Sequence, residues 1–268
     1  MSTTSNTLAG FASFANELVR RGEDAVGAAD FVLDAEGLYE LWYTPFEYVN
    51  KDARLVIVGI TPGMNQLRLA YEAARNALQA GMEHDAVLRA IKMAGAFGGS
   101  SMRPNLLKML RHFRFEQFLG VDDLSSLWGS NARLIHTTSV VPHAAFKRGK
   151  MFAGSFEEVL ANPLLRATFE QDFVSTLPLL NGDAYFVALG PCPLDALRWC
   201  VAKNLLKEHQ VLGALCHPSS SGGSMTRYYL REIERGALNP KDPVLHRCDW
   251  LDAAYNGMSS RIGTLLKA

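Results

Sequence analysis

Apolar positions along this chain recur on two different periods. Between Arg54 and Gly63 the run is RLVIVGITPG, where Leu55, Val56, Ile57, Val58 and Ile60 are aliphatic and Gly59 is the one interruption. A short apolar run closed by Pro and Gly predicts a strand buried on both faces. The next segment, MNQLRLAYEAARNALQAG, changes period: Leu67, Ala70, Tyr71, Ala74 and Leu78 fall on one helical face, and Gly81 stops the helix. The helical period also predicts helices over 8–21, with Phe11, Phe14, Ala15 and Leu18 on one face, over 83–94, and over 105–113. Short apolar runs at 131–141, 184–190 and 211–216 predict three further strands. Helices are expected at 156–180, interrupted near Pro163, at 193–206 with a proline in the first turn, and at 225–235. The tail after Pro240 shows no clear period.

Strands that alternate with helices predict right-handed crossovers and a mainly parallel sheet. No repeat or long linker divides the 268 residues. One domain is therefore expected over 1–268, with a helical and aromatic lead-in at 1–50 and a C-terminal extension at 240–268. The lead-in packs Tyr39, Trp42, Tyr43, Phe46 and Tyr48 into ten residues, either as a stacking surface or as a wedge against a sheet.

Composition narrows the class. Hydrophobic residues make up 48% and charged residues 20%, as in an ordinary globular protein. The formal net charge is zero, so any nucleic-acid contact must come from a local patch. The densest basic cluster is Lys147, Arg148 and Lys150; Lys108, Arg111 and His112 form a second, which reads equally as a solvated helix face. The N-terminus lacks the pattern of a secretory signal, and no run approaches a membrane span, so a cytoplasmic location is expected. The four cysteines have no CxxC spacing and are expected to be reduced and buried.

Two strand-end loops hold the candidate chemistry: Gly59-Ile60-Thr61-Pro62-Gly63, and His217-Pro218-Ser219-Ser220-Ser221-Gly222. Each alone reads as an ordinary turn. In an open parallel sheet, however, ligands bind beyond the carboxyl ends of the strands, where both loops are expected. With LGPCPLDAL at 189–197, FGGSSMRPNLLKML at 97–110 and TTSVVP at 137–142, their order resembles the uracil-DNA glycosylase superfamily over about residues 50–230.

The resemblance implies a three-layer α/β/α sandwich around a central four-stranded, mainly parallel sheet. It also implies hydrolysis of the N-glycosidic bond of a damaged or modified base flipped out of DNA, with no metal or redox cofactor. The implied partners are DNA and other repair or defence proteins, and no membrane. His217, Thr61 and Asn65 take the catalytic positions. Gly59, Ile60, Pro62, Gly63, Phe97 and Ser139 take the base-binding positions, with Phe97 as the stacking ring. Lys147, Arg148, Lys150 and the 218–222 loop take the DNA-contacting positions.

Two residues depart from the superfamily pattern. Thr61 stands where relatives carry Asn, Asp or Glu, and a threonine hydroxyl is a poor general base at neutral pH. Ser139 stands where many carry Asn, and one hydroxyl cannot make the paired contacts of an amide. These changes keep open a non-catalytic binder of nucleic acid. A serine hydrolase using Ser219 or Ser221 with His217 or His143 is a third reading, although the Gly-x-Ser-x-Gly turn is missing.

Overall fold

The computed structural model describes residues 10–219 and 222–267. Its strands are β1 (Val32–Glu36), β2 (Tyr39–Trp42), β3 (Leu55–Gly59), β4 (Ile135–Ser139), β5 (Ala144–Lys147), β6 (Lys150–Met151), β7 (Tyr185–Leu189) and β8 (Val211–Leu215). The helices are α1 (Phe11–Arg21), α2 (Met64–Gln79), α3 (His84–Gly95), α4 (Met102–His112), α5 (Phe115–Leu119), α6 (Phe156–Ala161), α7 (Pro163–Thr168), α8 (Pro191–Ala202), α9 (Met225–Tyr229) and α10 (Cys248–Leu265). The residues group into two compact units, each assembled from three separated stretches of chain.

The first unit comprises 1–49, 60–98 and 137–179. Its sheet has the order β1-β2-β5-β6, and every pair is antiparallel. The sequence does not foretell this sheet, because the aromatics of β2 mask its alternation. β5 and β6 are joined by Arg148 and Gly149, both at positive φ, as a two-residue hairpin turn requires. The core of the unit lies between α1, α2, α3 and the aromatic segment after β2. There Phe14 stacks on Tyr43 at 3.9 Å, and the Tyr71 hydroxyl donates to the Tyr43 carbonyl at 2.5 Å. The aromatics at 42–48 thus serve as a wedge. Gly95 lets α3 approach them closely, since a Cβ there would come within 2.8 Å of the Phe46 ring.

The second unit comprises 50–59, 99–136 and 180–268. Its sheet has the order β4-β3-β7-β8, with β3–β7 and β7–β8 both parallel. All five residues of β3 are buried, as its aliphatic run predicts. Two buried amides fix the approach to these strands. Asn50 Nδ2 lies 3.0, 3.0 and 2.7 Å from the carbonyls of Ala132, Arg133 and Ile135. Gln210 Nε2 donates to the carbonyls of Gly182 and Ala184. α8 packs on β7 and β8, and α10 covers β8. α10 occupies the tail that shows no clear period; Leu251, Met258 and Ile262 are buried along it at helical spacing, but small and polar residues dilute the stripe. The helix expected over 225–235 ends at Tyr229. All four cysteines are free and buried.

Candidate functional site

Parallel pairing puts the carboxyl ends of β3, β7 and β8 on one edge of the sheet in the second unit. β8 runs out there into Cys216 and His217. The His217 ring is half-buried, and its Nδ1 lies 3.3 Å from the Ser219 backbone N–H and 3.0 Å from the Ser219 hydroxyl. A backbone N–H only donates, so Nδ1 accepts and the proton of the neutral ring sits on Nε2. Burial lowers the His217 pKa below its ordinary value, and the Arg247 charge lowers it further, so the ring is neutral at pH 7. Asn105 on α4 donates to the Pro218 carbonyl at 2.9 Å and fixes the path of the loop. Pro218 is buried, while Ser219 and Gly222 are partly exposed; Ser220 and Ser221 lie outside the described residues. Cys216 is no nucleophile, because burial pushes its thiol up to about 12.

Gly59 ends β3 in the second unit, and the rest of the first motif belongs to the first. Thr61 donates its hydroxyl to the His143 carbonyl at 2.7 Å and accepts from the Ala145 N–H at 2.9 Å. Its only proton is therefore engaged, and the residue clamps the entry to β5. The Ile60 carbonyl accepts from the Val141 N–H at 2.9 Å, tying the same loop to the segment that follows β4. Pro62 is buried and Gly63 caps α2, on whose first turn Asn65 is exposed. Phe97 is buried at a positive φ of 49°, a conformation few non-glycine residues adopt. Ser139 is buried at the end of β4. In the basic cluster, Lys147 pairs with Glu158 at 2.6 Å, while Arg148 and Lys150 are exposed at the tip of the β5–β6 hairpin.

The first unit also gathers His143, named above as an alternative base, with groups that the sequence does not single out. His143 is buried, and its Nδ1 accepts from the Thr44 N–H at 3.2 Å. Its Nε2 lies 3.9 Å from Asp172 Oδ2. Burial brings the His143 pKa down to about 4, so the ring is neutral with its proton on Nε2. Burial, followed by the charge of Glu47, raises the Asp172 pKa to about 7. Glu47 keeps an exposed surface while protein crowds its other sides; that desolvation raises its pKa, although the Tyr43 hydroxyl donates to it at 2.5 Å. Lys92 is buried with its ammonium on the carbonyls of Phe46 and Tyr48, at 2.7 and 3.0 Å, and burial lowers its pKa to about 7. Of these residues, only His143 stands beside a recognisable motif. The others look like ordinary surface charges until the fold buries Lys92, encloses most of Asp172 and crowds Glu47.

The fold defines an α/β protein with a buried, mainly parallel four-stranded sheet, and His217 follows its strand β8. Over 211 residues the chain is 30% identical to "Uncharacterized protein YoxB" of Bacillus subtilis (strain 168), covering 76% of this chain and 80% of that one. The chain belongs to the family of that protein. No family model matches it, and no solved structure matches it. Among the described residues, no helix is long and apolar enough to cross a membrane.

Proposed function

We propose that this protein is a DNA glycosylase of the uracil-DNA glycosylase superfamily, with that superfamily's three-layer sandwich. It releases a damaged or modified base by hydrolysing the N-glycosidic bond. The observation that carries the reading is the state of His217: neutral, held through Nδ1, with Nε2–H as a fixed donor beyond the end of β8. Breaking an N-glycosidic bond leaves negative charge on the departing base, and a preorganised donor stabilises that charge as it develops. Ser219, partly exposed beside His217, offers a hydroxyl that suits contact with a phosphate next to the flipped base.

Incubation with duplexes carrying uracil, hypoxanthine, alkylated or hypermodified bases, scored for abasic sites, tests the proposal. Release of one such base is expected, slowed about 10²- to 10³-fold by His217→Ala, the cost of removing one such donor. Silence across the panel overturns it. A non-catalytic nucleic-acid binder is the second reading, favoured by the commitment of the Thr61 hydroxyl to His143. It predicts tight duplex binding without release, unchanged by His217→Ala.

A further inference from the structure

We infer that the second unit carries a binding cleft for an elongated apolar carboxylate, an acyl-chain acid, walled by α8, β8 and α10. The inference is independent of the glycosylase reading and uses no residue of the His217 loop.

The cleft has a volume of about 700 Å³, within the range of about 300–1,000 Å³ usual for small-molecule sites. Its walls are mostly apolar. Leu194 and Val201 come from α8, residues 211–214 from β8, and Trp250, Ala254 and Gly257 from α10. The small residues of α10 leave the space open: a Cβ added to Gly257 would meet no atom within 4 Å. β8 is the outer strand of its sheet, and it is bulged where it borders the cleft. Phe186 pairs with Val211 and Val187 with Gly213, which leaves Leu212 as the extra residue of the strand. Gly213 takes a φ of 129° there, a conformation that residues with a side chain rarely adopt. Bulges are over-represented beside functional sites, where they end regular pairing and re-aim the chain.

Shape and charge select the occupant. Trp250 and Arg261 both line the cleft from α10. At a rise of about 1.5 Å per residue they stand about 16 Å apart along the helix axis. A chain-like ligand fits that length better than a compact ring. Among the described residues, the charged groups of the lining are Arg198, Arg261 and Glu208, two cations against one carboxylate. Arg261 is committed, donating to the Glu208 carbonyl at 3.1 Å and to its carboxylate at 3.2 Å. Arg198 makes a 3.3 Å contact to Asp195, which lies outside the lining, and both side chains are exposed. An exposed pair of this kind contributes little, and a guanidinium has five N–H groups to share. Arg198 is therefore the cation that meets the carboxylate of the ligand. Burial of the acyl chain against Leu194, Leu212 and Trp250 supplies the affinity, and the charge-assisted hydrogen bond selects the acid.

Titration calorimetry of the full chain with sodium dodecanoate, kept below its micelle concentration, and with dodecanol tests the inference. Dodecanoate is expected to bind saturably at one site per chain. Dodecanol should bind at least about 10-fold more weakly, the scale of one charge-assisted hydrogen bond. Arg198→Gln should bring dodecanoate down to the level of dodecanol and leave dodecanol unchanged. A merely structural arginine would weaken both or neither. Gly257→Leu fills the cleft while improving helix propensity, so it should abolish binding of both probes with the melting temperature retained. Absence of saturable binding, equal affinities for acid and alcohol, or full binding by Gly257→Leu overturns the inference. A dimer in sedimentation that Gly257→Leu dissociates also overturns it and assigns the cleft to a second copy of the chain.

Discussion

The hydroxyl of Thr61 is bound to the main chain of His143, 82 residues further along, through a 2.7 Å hydrogen bond. The same oxygen accepts from the Ala145 N–H, so one side chain closes the start of β5 onto the first motif loop. Thr61→Val is expected to cost about 1–3 kcal/mol, because the valine leaves a main-chain donor and acceptor unsatisfied. Thr61→Ser keeps the hydroxyl and is expected to recover most of that. Urea unfolding midpoints of the two variants measure the difference, and equal midpoints would contradict the clamp.

Lys92 sets the alkaline side of the stability profile. Burial lowers its pKa from 10.5 to about 7, so between those values the unfolded chain holds a proton that the folded chain lacks. Stability from this group therefore rises as pH increases from about 7 to 10.5, by an amount on the order of a few kcal/mol. Asp172 acts in the opposite sense: its raised pKa favours the folded state below 3.8, and that contribution is lost as pH rises to about 7. Lys92→Met should lower stability at high pH, by freeing the Phe46 and Tyr48 carbonyls, and flatten the rise between pH 7.5 and 9.5. Denaturation at both pH values reads out the slope, and a slope equal to wild type contradicts the assignment.

Asn50 joins the lead-in of β3 to two residues ahead of β4 and to its first residue, Ile135, through three carbonyls. It offers only two N–H groups, so at least one of these contacts is shared. Asn50→Ala is expected to cost about 2–4 kcal/mol through the unsatisfied carbonyls. Amide exchange of the central strand should accelerate with it. A loss below about 0.5 kcal/mol, the size of an ordinary surface change, would show that water replaces the side chain.

The four thiols provide a probe of unfolding. All are buried, and burial raises Cys200 and Cys216 to about 12. An aromatic disulfide reagent should leave the native protein almost unmodified at pH 8 and label four thiols in denaturant. Rapid native labelling of any one would place that cysteine at a surface it does not have.

Local signals made part of this fold readable. β3 is legible because five consecutive buried residues leave only one interpretation, and α2 because a helical stripe follows a Thr-Pro-Gly turn. β2 is harder, since its alternation is filled with aromatics that stack locally and pair with residues more than a hundred positions away. α10 buries a thin stripe of Leu251, Met258 and Ile262 among small and polar residues, so its period falls below the surrounding noise. The site divides in the same way. His217 stands next to a proline at a strand end, where a sequence pattern can find it. Lys92 and Asp172 gain their unusual proton affinities from burial, and Glu47 from crowding by surrounding protein, and no spacing in the chain records that.

The pairing of Leu55 with Tyr185 has a consequence for biosynthesis. β3 leaves the ribosome about 130 residues before its partner β7, and at about 5–20 residues per second that delay is on the order of ten seconds. During that interval a wholly apolar strand has no native neighbour on that side, a condition that invites aggregation. Yield in a cell depleted of nascent-chain chaperones should therefore fall more steeply than the stability of the finished protein would suggest.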